Sequence, residues 1–170
     1  MSARTFALIF GIAYLGAGLL GLMPGMLMPP PADAPPMRFD VLYGHLLGLF
    51  PVNMLHTIVH LAIGAWGLAA YMGWSAPRLY ARSLALFYGV LGVIGLIPGL
   101  NTLFGVLPLQ GHDVWLHLGT AAVAAYFGWH AEDSMERRFG AGDRRKAAHA
   151  PIANERRQGL YDRRRSSMAA

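Results

Sequence analysis

Histidine, aspartate and asparagine recur at helical spacing in two apolar stretches of this chain. Asn53, His56 and His60, followed by Gly64 and Gly67, lie three or four residues apart, so on a helix they share one face. Asp113, His117, Thr120, Ala121 and Ala124 repeat the pattern. Two imidazoles one helical turn apart offer two nitrogens to a common point, and a carboxylate with an imidazole does the same. Such donors suit iron, zinc or copper. His60 and His117, carried on different helices, are the pair that would ligate haem axially. The candidate ligands of a first-row transition metal or haem are therefore His56, His60, Asp113 and His117, with Asn53 and Gln110 as a supporting polar network. The competing reading gives the same side chains only a structural role, as hydrogen bonds joining helices.

Several chemistries drop out. The chain has no cysteine, so disulfides, iron–sulfur clusters and thiolate nucleophiles are excluded. His56-Thr-Ile-Val-His60 lacks the glutamate that a zinc protease carries between its ligands, which argues against hydrolysis. No catalytic residue is assigned, and a non-enzymatic role is favoured.

The elements that would position these groups are membrane spans. The chain of 170 residues is 55% hydrophobic and only 14% charged. Apolar stretches at about 5–23, 52–72, 80–98 and 113–130 approach the ~20 helical residues needed to cross a bilayer. Helices are expected because lipid-exposed backbone must satisfy its own hydrogen bonds. Ten of the 14 basic residues lie in 131–170, beside six acids, so this stretch reads as a basic, largely disordered cytoplasmic tail. Arg4, Arg78 and Arg82 fall on the same side and Arg38 alone on the other, which places both termini in the cytoplasm of a bacterial inner-membrane protein. Anionic lipid headgroups, rather than nucleic acid, are the expected partner of the tail. Ala32-Asp33-Ala34 resembles a signal-peptidase site, but Pro35 directly after it disfavours cleavage.

An internal match organises the spans. Gly18–Gly25 (GLLGLMPG) matches Gly92–Gly99 (GVIGLIPG), and Gly48–Leu61 matches Gly105–Leu118. In the second match Pro51 meets Pro108, Asn53 meets Gln110, His56 meets Asp113 and His60 meets His117. The hairpins also end alike, at Ala70–Trp74 and Ala125–Trp129. The expected fold is all-α: a four-transmembrane-helix bundle from a duplicated two-helix hairpin, with a pseudo-twofold axis along the membrane normal. That symmetry predicts convergence of His56, His60, Asp113 and His117 near the outer side. The proline-rich first loop is expected to be stiff, and Val41–Phe50 to lie in the interface or dip into it. Gly89, Gly92, Gly95 and Gly99 suit helix packing within the bundle better than a homo-oligomer face.

Residues Leu47–Leu68 (LGLFPVNMLHTIVHLAIGAWGL) and Asp113–Leu118 (DVWLHL) resemble the two signatures of the domain of unknown function 4383 family, small four-helix bacterial membrane proteins. Thr57 stands where that family usually has asparagine. The resemblance covers roughly residues 5–130 and implies the architecture without implying a reaction. The expected function is a structural or assembly-type membrane bundle, able to bind another membrane protein. Metal or haem binding at the His/Asp cluster, with redox activity, is the alternative.

Overall fold

The computed structural model describes residues 1–130; the expectations for the tail lie outside the described residues. The described residues are mostly helical and include four α-helices: α1 Ala3–Gly21, α2 Met54–Met72, α3 Pro77–Gly95 and α4 His112–Ala125. Helix α4 continues into a π-helical turn at Tyr126–His130. Two helices, α1 and α2, are long and apolar enough to cross a membrane. Each has 19 residues, about 28 Å of helix.

Local chemistry sets the ends. The Ser2 hydroxyl accepts the Thr5 amide and caps α1. Asn53 caps α2, and Gly73, with φ of 91°, closes it in the left-handed conformation that glycine tolerates best. Pro77 opens α3 at the helical position that needs no donor. Both α1 and α3 stop before their Pro-Gly pairs, so the spans expected to reach residues 23 and 98 end at Gly21 and Gly95.

The all-α expectation misses a small sheet. Leu27–Met28 (β1), Gly44–Leu46 (β2) and Phe50–Val52 (β3) form an antiparallel sheet in the order β1-β2-β3. Gly44–Leu46, the turn after it and Phe50, within the stretch Val41–Phe50, thus belong to this sheet. Leu47 and Gly48 turn the hairpin with φ of 54° and 73°. Pro51 sits on the edge strand β3, where a missing donor is tolerated. The loop between α3 and α4 turns through Phe104 and Gly105 with φ of 60° and 84°, and the Gly105 carbonyl accepts the Arg38 and Phe39 amides.

Helix packing depends on residues without side chains. A Cβ on Gly64 would lie 2.5 Å from the Leu15 nitrogen, and one on Gly67 would lie 2.7 Å from the Gly11 Cα. Backbones of α1 and α2 thus touch directly, as small residues permit in membrane helices. In the same way Gly18 faces Leu61 and Gly92 faces Leu118, each with a would-be Cβ within 2.8 Å of the leucine side chain. Gly92 and Gly95 face α4 and the loop before it, which supports the packing reading of the glycine series. Phe6, Tyr14, Tyr80, Leu84, Tyr88 and Phe127 fill the centre. Outward faces of all four helices are apolar, among them Ile12, Ile58, Leu86, Val90, Trp115 and Val123. At the ends of the hairpins, Arg4 donates to the Tyr71 carbonyl and Arg82 to the Gly128 carbonyl, each at 2.8 Å. Both guanidinium groups also lie over an aromatic ring, Tyr71 and Trp129 respectively.

Asn53 fixes the end where α2 begins. Its Oδ1 accepts the His56 amide at 2.9 Å, while Nδ2 donates to the Phe39 carbonyl at 3.0 Å and the Val106 carbonyl at 2.7 Å. One buried side chain therefore starts α2 and ties the α1–α2 and α3–α4 loops to it. Asn53→Ala should cost about 2–4 kcal/mol, from the lost cap and two orphaned carbonyls. The expected readout is a lower thermal midpoint in detergent with faster amide exchange at His56. Gly67→Leu should cost about 1–3 kcal/mol or more by prising α1 from α2. Gly119→Ala, where nothing lies within 4 Å of the new Cβ, should leave the midpoint unchanged; similar losses from both would refute the packing account.

Candidate metal centre

The polar stripes expected on the second and fourth spans are buried faces of α2 and α4. Helix α2 buries His56, Thr57, His60, Gly64, Gly67 and Ala70; helix α4 buries Asp113, Val114, His117, Thr120 and Ala124. Interior positions three and four apart are what a helix with one packed face produces. Ala121, assigned to the same stripe, is only half-buried. The matched ends Ala70–Trp74 and Ala125–Trp129 are not equivalent, since Phe127 is buried and Met72 is exposed.

Three of the four candidate ligands meet. Asp113 Oδ2 lies 3.5 Å from His117 Nε2 and 3.9 Å from His56 Nε2. One donor atom from each of His56, Asp113 and His117 falls within 4.8 Å of the others. Exposure is 3% at His56 and 1% at both Asp113 and His117. His60 sits beside this group, its ring centroid 4.5 Å from that of His56. His45 lies on β2 and His112 at the exposed start of α4.

The supporting amides separate. Asn53 is the loop clamp described above. Gln110 donates to the Tyr43 hydroxyl at 3.4 Å, and its Oε1 has no hydrogen-bond partner. The matched residues thus differ in role because α4 is capped by Gly111 and α2 by Asn53. Thr57 packs against Gly21 of α1.

Two tyrosines complete the wall of the centre, and the stripe argument does not find them. Tyr14 and Tyr88 stack at 5.2 Å with 17° between their planes. Tyr14 contacts His60 at 5.2 Å and Tyr88 contacts His117 at 4.9 Å between ring centroids. The Tyr14 hydroxyl donates to Thr120 at 3.4 Å. Their signal in the sequence is position: each lies four residues before a matched glycine, Gly18 or Gly92.

Electrostatically the centre is unfinished. His56 Nδ1, Asp113 Oδ2 and both ring nitrogens of His117 are buried without a hydrogen-bond partner. Each such group costs roughly 1–3 kcal/mol when left unsatisfied. A purely structural hydrogen-bond network would have these atoms bonded to one another. Ligand atoms of a tetrahedral ion at about 2.0–2.2 Å lie about 3.3–3.6 Å apart, a range that holds the 3.5 Å from Asp113 to His117 while the 3.9 Å to His56 is wider. The fit to haem is poorer, because stacked Tyr14 and Tyr88 occupy the space against His60 and His117 where a porphyrin would lie.

Comparison with known proteins agrees with the signatures. No curated protein and no solved structure matches the chain. The family described as Domain of unknown function (DUF4383) matches residues 4–130, so the chain belongs to that family.

Proposed function

We propose that residues 1–130 form a four-span inner-membrane protein that holds a divalent first-row transition metal between α2 and α4. Its ligands are His56, Asp113 and His117. The observation that carries this reading is the convergence of three buried side chains, among which Asp113 Oδ2, both ring nitrogens of His117 and His56 Nδ1 lack hydrogen-bond partners. Two imidazoles and one carboxylate suit zinc, iron or copper and leave a fourth position open. His60 lies beside the ion rather than on it.

The four-span reading is supported by the apolar outward faces of α3 and α4 as well as α1 and α2. The duplication is supported by paired contacts: Gly18 on Leu61 with Gly92 on Leu118, and Tyr14 on His60 with Tyr88 on His117. The two left-handed turns, Leu47-Gly48 and Phe104-Gly105, also fall at matched positions. Both termini face the cytoplasm in this arrangement, where the ten basic residues of 131–170 meet anionic headgroups. A purely structural bundle is the second reading, favoured by the direct backbone contact of Gly11 with Gly64 and Gly67.

The metal reading is tested on protein purified in mild detergent from cells supplied with zinc, iron, copper and manganese. About one tightly held ion per chain is expected, with affinity reduced more than about tenfold in His117→Ala and Asp113→Asn and less in His60→Ala. Protein that is folded yet free of stoichiometric metal would leave the structural bundle standing, and a Soret band would reinstate haem. The chain has no cysteine of its own, so single cysteines report topology cleanly. Asp33→Cys should react with an impermeant maleimide in intact cells, and Ala76→Cys only after lysis. Labelling of Ala76→Cys from outside would invert the assigned orientation.

A further inference from the structure

A cleft of about 310 Å³ opens between α1, the β2–β3 hairpin and α4, and the four-span reading turns it toward the lipid. Its walls are apolar, with Gly16 and Leu20 from α1, Phe50 from β3 and Leu116 from α4. Its inner end is polar, formed by His60 and Asp113. Asp113 therefore belongs to two places at once, the metal centre and the floor of a lipid-facing cleft. The volume is at the lower end of ligand pockets, which span about 300–1,000 Å³. It accommodates a length of alkyl chain rather than a whole phospholipid.

Charge selects the head group of what lies there. This step rests on the metal reading above. A divalent ion held by two neutral imidazoles and one carboxylate carries a net charge of about +1, which is costly to leave unbalanced in an apolar interior. A monoanion in the fourth position cancels it. Because the cleft leading to that position is apolar, the anion best suited to it brings its own hydrocarbon. We propose that the cleft seats the chain of a fatty-acid-type carboxylate whose head group completes the coordination of the ion beside Asp113. His60, at the same end of the cleft, is placed to hydrogen-bond the carboxylate oxygen that the metal does not take. Without the ion the incoming carboxylate meets the Asp113 side chain, so binding requires the metal.

The test uses the full chain in a maltoside detergent loaded with Co2+, whose visible spectrum reports its ligands. Cobalt content is measured before any lipid is added. Palmitate should then bind saturably and shift the cobalt spectrum, whereas palmitic acid methyl ester and acetate should not. Palmitate should not bind the metal-free protein. Gly16→Phe fills the cleft, since no heavy atom lies within 4 Å of a Cβ at that position. It should weaken palmitate binding at least about tenfold, the equivalent of ~1.4 kcal/mol, with cobalt content unchanged. Leu116→Trp narrows the opposite wall and should do the same if Gly16→Phe does not fold. Failure of cobalt to bind overturns the metal reading and this inference together. Bound cobalt whose spectrum ignores palmitate overturns this inference alone. So does equal binding of the ester, equal binding by metal-free protein, or full palmitate affinity in both cleft-filling variants.

Discussion

The end of the helices where α2 begins hangs on Asn53. A helix beginning inside an apolar assembly has amide donors that need acceptors, and the loops crossing its end have carbonyls that need donors. Asn53 answers both with one buried amide, accepting from His56 and donating to Phe39 and Val106. Its cap sets where α2 begins, and hence the turn on which His56 and His60 fall. Its two donated bonds bring the α1–α2 and α3–α4 loops over that same turn. Arg38, Phe39 and Gly105 add backbone bonds between those loops. The candidate metal centre is thus roofed by structure that a single side chain holds in register.

The proposed duplication explains why two stripes of polar residues meet, and the departures from symmetry explain why they meet as a site. Equivalent scaffold contacts recur: glycine on leucine, tyrosine on histidine, and the two tyrosines on each other. At the candidate ligand positions the matched segments differ. His56 faces Asp113 instead of a second copy of itself. Asn53 and Gln110 likewise part company, one capping a helix and the other bonding Tyr43. A symmetric frame with unlike side chains at its axis yields a mixed N/O donor set.

Hydropathy and spacing made much of this legible in advance. The four helices appear within a few residues of their expected places because a buried face at every third or fourth position and an apolar exterior leave little freedom. Convergence of α2 with α4 was readable from the match between His56–His60 and Asp113–His117. The sheet was not readable, because β1 has only two residues and β2 and β3 three each, too short to show an alternating pattern. Its apolar sequence, Leu46 to Val52, looks the same whether it lies in lipid, in a helix or in a hairpin. Tyr14 and Tyr88 escaped notice because a lone aromatic in an apolar span ordinarily reads as core, and their meaning comes only from the histidines they touch.

The count of charged ligands gives the centre its character. With three histidines around a divalent ion the site would keep a charge of +2, which a single anion would leave half uncompensated. With two carboxylates and one histidine it would already be neutral, and nothing about charge would draw a further ligand. In the proposed centre one Asp113 among two histidines would leave +1, so an ion there would be held by few enough buried charges for an apolar interior and would still seek one anion. Position would then decide which anion: Asp113 lines the cleft beside α1, whereas His56 and His117 do not. Under the proposed duplication and four-span reading, the aspartate that distinguishes the two stripes would also be the residue that points the centre toward the membrane.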